Sequence, residues 1–208
     1  MKRRLIFIAL GVLATLSARA GTLTVKVLDT AGEPAQDVAV VVRSLAHPHT
    51  VQPLPLVEIV QEKMKFVPAI AIVTPGTKVR FTNRDAWDHH VHGDGGATFE
   101  FRIGGVGTSA TPTRPAETVI QGGNGPVLLA CYLHGSMQGS IYLSDSPYYS
   151  STESDGLAQI PNVPNGPIEI IVWHPQQIVE QPSLRATLGP TPLTLTANLN
   201  VKLRKRRR

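Results

Sequence analysis

Apolar side chains recur at every second position through much of the chain: Leu23, Val25 and Val27; Val38, Val40 and Val42; Val79 and Phe81; Phe99 and Phe101; Ile168, Ile170 and Val172; Leu193 and Leu195. Successive side chains of a strand point to opposite faces, so this alternation predicts strands with one buried face. Turn formers separate the runs: Gly32 and Pro34, Pro75 and Gly76, Gly122 to Gly125 around Asn124, and Pro164, Asn165 and Gly166. No segment beyond residue 20 carries the 3.6-residue period of an amphipathic helix. The pattern predicts an all-β protein whose short, closely spaced strands pack as sandwiches.

Two stretches rich in Pro or Ser, residues 44–56 and 144–155, interrupt the strand pattern and read as joints. On the flanks, Gly32, Glu33 and Pro34 precede Val38, Ala39 and Val40. Much later Asp155 and Gly156 lead to Ile160, Val163, Pro164 and Gly166, and then to Val172, Trp173 and His174. Together these resemble the carboxypeptidase-regulatory-like, transthyretin-like β-sandwich. The resemblance implies one discontinuous sandwich built from residues 21–50 and 148–201, with residues 51–147 as a module inserted in it. The alternative of two consecutive domains leaves a lone hairpin in front, which is marginal in water.

The N-terminus adds a compartment. Lys2, Arg3 and Arg4 precede an apolar run over residues 5–16, and Ser17, Ala18, Arg19 and Ala20 supply small residues spaced for cleavage. Residues 1–20 therefore read as a signal peptide, the run being too short for a membrane span. Removing them takes Lys2, Arg3, Arg4 and Arg19 from the 20 basic residues and leaves 16 against 15 acidic ones. Six of the 16 sit in residues 202–208, so an acidic body carries a basic tail. Such a tail is a solvated terminus or a weak contact for anionic headgroups or an acidic partner. An exported protein without a basic stripe among its strands is not expected to bind nucleic acid. With 42% hydrophobic residues it has material for real cores, so a disordered chain is excluded.

Cys131 is the only cysteine. A lone thiol in an oxidising compartment has no disulfide partner within the chain and needs another explanation. Its surroundings supply one: Cys131, His134 and Met137 form a C-x2-H-x2-M run of thiolate, imidazole and thioether. Soft sulfur ligands combined with histidine suit copper, and a His2Cys trigonal set with a long axial Met is the blue-copper type. The second histidine must come from another strand, and His89, His90 and His92 are available. If Val91 points into the sandwich, His89 shares its face while His90 and His92 point away, which selects His89.

Residues 56–145 resemble the cupredoxins, especially plastocyanin and amicyanin. The likeness lies in Met64, Phe66 and Pro68; in Pro75, Gly76, Val79, Phe81 and Asn83; in His89 and Val91; and in the C-x2-H-x2-M loop, all in the family's order. It implies a Greek-key β-sandwich with one type 1 copper held by His89, Cys131, His134 and Met137 on loops at one end. Three positions depart from the family. His90 stands where an Asn usually ties the His strand to the Cys loop, Leu133 where a Pro often precedes the ligand His, and Gly135 with Ser136 where bulkier residues are common.

His47, His49, His90 and His92 offer an accessory metal site, against a reading as ordinary surface histidines. The paired H-x-H spacing echoes multicopper oxidases, but the required ligand count is missing. No G-x-S-x-G elbow, H-E-x-x-H helix or phosphate loop is present, so no enzyme and no small-molecule substrate is expected. His174 reads as structural. The expected function is an electron carrier, periplasmic or otherwise exported, that exchanges single electrons with a redox partner protein. Copper storage or delivery, and a binding module on a cupredoxin scaffold without redox function, are the alternatives.

Overall fold

In the computed structural model, residues 20–107 and 110–204 are described, and they form sixteen strands and no helix. Two strands come first, β1 (Ala20–Leu28) and β2 (Ala39–Ser44). The middle of the chain supplies β3 (Val57–Glu62), β4 (Lys65–Val67), β5 (Ile70–Val73), β6 (Thr77–Asn83), β7 (His89–Gly95), β8 (Phe99–Ile103), β9 (Ala116–Ile120), β10 (Gly125–Cys131) and β11 (Gln138–Leu143). The last part forms β12 (Tyr148–Ser151), β13 (Leu157–Pro164), β14 (Gly166–Trp173), β15 (Leu184–Leu188) and β16 (Leu193–Asn198). The proposed leader lies outside the described residues except for Ala20, which opens β1. Of the basic tail, residues 205–208 also lie outside.

The strands make four sheets. Two draw only on the ends of the chain, in the orders β13-β1-β16 and β12-β2-β14-β15. The other two draw only on the middle, in the orders β4-β3-β6-β9 and β5-β11-β10-β7-β8. Each pair of sheets encloses its own core. Leu23, Val25, Val27, Val40, Val42, Ile160, Ile168 and Ile170 fill the first. Ile59, Phe66, Val79, Phe81, Val91, Ile103, Val127, Leu129, Cys131 and Met137 fill the second. Burying each large apolar side chain contributes about 1.5–3 kcal/mol, so the alternation read from sequence is the main source of stability in both.

β2 shows why the two units touch. Its run Ala39, Val40, Val41 and Val42 is apolar on both faces and buried throughout, as expected of a strand covered on two sides. Val40 and Val42 face the outer core, whereas Ala39 and Val41 join Ile70 and Tyr142 in a seam completed by Ile72, Tyr149, Ile171 and Trp173. Trp173 stacks obliquely on Tyr142 with ring centroids 5.6 Å apart. The Ser-rich segment read as a joint is partly a strand: Tyr148 to Ser151 pair with Val42 to Ala39. Two adjacent tyrosines give this stretch the strand preference that its serines disguise.

Candidate metal centre

β6 delivers the chain to the site and locks the loop that follows. The Asn83 side chain donates from Nδ2 to the carbonyls of Trp87 (2.9 Å) and Gly104 (3.0 Å), and its Oδ1 accepts the N–H of Asp85 (2.8 Å). Asp88 braces the same loop by accepting the N–H of Gly105 (3.0 Å) and the hydroxyl of Thr111 (2.9 Å). β7 then starts at His89. Its burial alternates as the sequence predicts: His89 and Val91 are fully buried, while His90 and His92 lie on the outer face, half-buried.

Cys131 ends β10 opposite Val91 and is 3% exposed. The following turn is closed by backbone bonds, His134 N–H to the Cys131 carbonyl (3.2 Å) and Met137 N–H to the His134 carbonyl (2.9 Å). This returns His134 over the sulfur and buries Met137 in the core that Cys131 also joins. His89, Cys131 and His134 are thus brought together, with ligand atoms all within 4.8 Å of one another.

Their geometry suits a metal ion. The two Nδ1 atoms are 3.2 Å apart, and Sγ lies 3.7 Å from the nitrogen of His89 and 3.6 Å from that of His134. The centre of such a triangle lies about 2.0 Å from each corner, close to the length of a metal bond to imidazole and slightly short of one to thiolate. Protonation points the same way. A carboxylate only accepts, so His89 donates Nε2–H to Asp85 Oδ2 at 2.9 Å, and its Nδ1 is left as a lone pair aimed into the triangle.

Asp85 was not singled out in the sequence, although its spacing four residues before His89 was visible. Its two oxygens also accept the N–H groups of Lys63 (2.6 Å) and Met64 (3.0 Å). Burial pushes the Asp85 carboxyl up, but these bonds and the one to His89 outweigh it and hold it below its ordinary range. For His89 burial dominates and lowers the imidazole pKa against the pull of Asp85, which keeps the ring neutral. A neutral ring is the ligating form.

Of the departures noted in sequence, that at His90 has a structural account. His90 ties its strand to the cysteine through the backbone: its N–H reaches Sγ at 3.4 Å, and its carbonyl accepts Tyr132 N–H at 2.9 Å. Its side chain turns outward to Glu100 (2.6 Å). At the sulfur, the backbone donor is therefore His90. The accessory histidines are not gathered among the described residues. His49 bonds the Tyr148 hydroxyl at 2.9 Å, and His92 stacks on Tyr132 with centroids 4.1 Å apart. His174 is buried and accepts the N–H of Gln176, a structural role.

An all-β chain with an Nδ1–Sγ–Nδ1 triangle, buried at His89 and Cys131 and half-buried at His134, is what fold and site together define. No protein-family model matches it, and no curated protein does. Solved structures are similar to part of it. A purple cupredoxin from Nitrosopumilus maritimus is 18% identical over 42% of this chain and 99% of that one, with a TM-score of 0.35. A reduced amicyanin variant is 21% identical over 44% and 91%, with a TM-score of 0.34. A copper-containing nitrite reductase from Thermus scotoductus SA-01 is 19% identical over 56% of this chain and 28% of its own, with a TM-score of 0.35. The chemistry of the centre follows from its own residues.

Proposed function

We propose that this protein holds one copper ion in a type 1 site and carries single electrons between redox partners. The observation that carries the proposal is the triangle of two imidazole nitrogens and the Cys131 sulfur, open to the surface only on the His134 side, with the His89 lone pair fixed by Asp85. Thiolate with neutral imidazoles accommodates copper in both oxidation states. Met137, 1% exposed and closing the ligand turn, would be the fourth residue to hold the ion in this reading, through its thioether. Copper, when bound, supplies the one-electron chemistry. The chain's residues hold it, keep water out and fix the imidazole orientation, and no bond in a substrate is made or broken.

Electron transfer needs a way out. His89, Cys131 and Met137 are buried, whereas His134 is half-buried. His134 is therefore the exit in this reading, beside the exposed Leu133 and Tyr132. A small, apolar contact there suits brief docking of a redox partner protein. Export, to the periplasm or beyond, and residues 51–147 as a module inserted in a 21–50 and 148–201 sandwich complete the proposal. The expected solvated tail is corrected at its start, where Leu203 packs against the first core and its N–H donates to Asp29 at 3.1 Å.

Addition of Cu(II) to the purified protein tests it by visible absorption and electron paramagnetic resonance. An intense thiolate-to-copper band with a narrow hyperfine splitting is expected in the wild type and is lost in Cys131→Ser. A wild type that binds copper without that band overturns the type 1 reading.

A further inference from the structure

Gln61 is fully buried, and neither its Nε2 nor its Oε1 has a hydrogen-bond partner among the described residues. Buried amides in folded proteins nearly always find partners, and an amide without them destabilises the core around it. An apolar side chain of similar volume would pack there without that penalty. The glutamine asks for a reason.

Its position supplies one. The burial of β3 alternates, so Gln61 faces inward with Ile59. Residues opposite one another in a sheet share a face, and Gln61 stands opposite Phe66 on β4 and Asn83 on β6. This is the last inward row before the Lys63–Met64 turn, whose N–H groups hold Asp85 against His89. The Gln61 carbonyl also accepts the N–H of Arg84, the neighbour of Asp85, at 2.9 Å. On the other side Phe66 closes over Gly139, where an added Cβ would lie 2.9 Å from the Phe66 Cβ. Gly139 is two residues from Met137. Phe66, Cys131 and Met137 belong to one buried cluster. The amide thus lies in the core wall between the edge that fixes His89 and the edge that carries Met137.

We propose that Gln61 is a positioning residue of the metal centre, its amide finding its partners only when the site is loaded. The inference rests on the copper reading above and assigns it a residue from the opposite sheet. Polar groups behind a metal's ligands orient those ligands and tune both affinity and redox balance. The glutamine would then be kept at the expense of the metal-free fold, as functional groups in cores often are.

The test compares wild type with Gln61→Leu and Gln61→Met by thermal melting of the metal-free protein, by copper affinity against a competing chelator, and by the thiolate-to-copper band. The expected result is a higher melting temperature for metal-free Gln61→Leu, a roughly tenfold loss of copper affinity and a shifted band. Unchanged affinity and band in a folded variant overturn the proposal and leave the amide to a buried water. If Gln61→Leu fails to fold, the flexible Gln61→Met decides by the same two readouts. A wild type without the thiolate band overturns the copper reading and this inference with it, whereas a normal wild-type band with an unmoved variant overturns this inference alone.

Discussion

Asp85 Oδ2 accepts the Nε2–H of His89 at 2.9 Å while the same carboxylate holds both N–H groups of the Lys63–Met64 turn. Both turn residues have positive φ, 53° and 55°, a conformation that residues with a side chain rarely adopt unless the surroundings stabilise it. One carboxylate therefore fixes a strained turn and a candidate metal ligand together.

Asp85→Asn should uncouple them. An amide has one acceptor oxygen in place of two, so at least one turn N–H loses its partner, at a cost of about 1–3 kcal/mol. The tautomer of His89 is also no longer imposed, and copper affinity is expected to fall about 10- to 100-fold. Chelator competition and urea unfolding read the two effects separately.

Acidification should weaken the metal-free protein in two stages. The His89 pKa is lowered from 6.5, chiefly by burial, and that of Asp85 is lowered from 3.8 because its hydrogen bonds outweigh burial. Each group binds fewer protons folded than unfolded, so its contribution is present above the unfolded pKa and is lost as pH falls through the folded one. Stability should decline first below about pH 6.5 through His89, then below about pH 3.9 through Asp85. In urea unfolding across this range His89→Leu should lack the first stage, and a flat wild-type profile between pH 7 and 5 would contradict the assignment.

Gly105→Ala should damage the site from a distance. An added Cβ would lie 2.2 Å from the carbonyl oxygen of Ala86 and 2.6 Å from the Trp87 nitrogen. Backbone cannot rotate away as a side chain can, so the loop leading into His89 must shift. A loss of about 1–3 kcal/mol is expected, together with weaker copper binding, seen by thermal melting and by metal titration.

Trp173→Ala should loosen the seam between the two units and spare the metal site. The indole packs with Tyr142, Ile171 and Val41, outside both main cores. Emptying a fully buried aromatic position costs about 3–5 kcal/mol, and a smaller loss is expected for the half-buried Trp173. Calorimetry should then resolve two unfolding transitions where the wild type shows coupled melting, with the thiolate band unchanged.

His90→Ala and His92→Ala should each leave the copper spectrum in place, because the triangle draws on neither ring. His90 acts at the sulfur through its N–H, which alanine keeps. Loss of the thiolate band in either variant would place these histidines in the centre after all.

Much of this architecture is written in single residues. Leu23, Val25 and Val27, or Ile168, Ile170 and Val172, alternate so regularly that one face of each strand can only be buried, and the same rule separates His89 from His90 and His92. The C-x2-H-x2-M spacing places His134 over Cys131 because a short turn closed by two backbone bonds leaves little choice. Tyr148 to Ser151 were obscured because a strand with only half-buried residues carries no alternation to read. Asp85, Gln61 and the Trp173–Tyr142 contact depend on tertiary structure. Each joins segments distant in sequence, and nothing in the local pattern says which strands meet. What the sequence determined by itself were periods and local turns, since those depend on neighbouring residues. The pairing of β3 with β6 decided which turn reaches the Asp85 carboxylate, and which amide was buried without a partner, because burial and hydrogen bonding are set by the sheets that close over a residue.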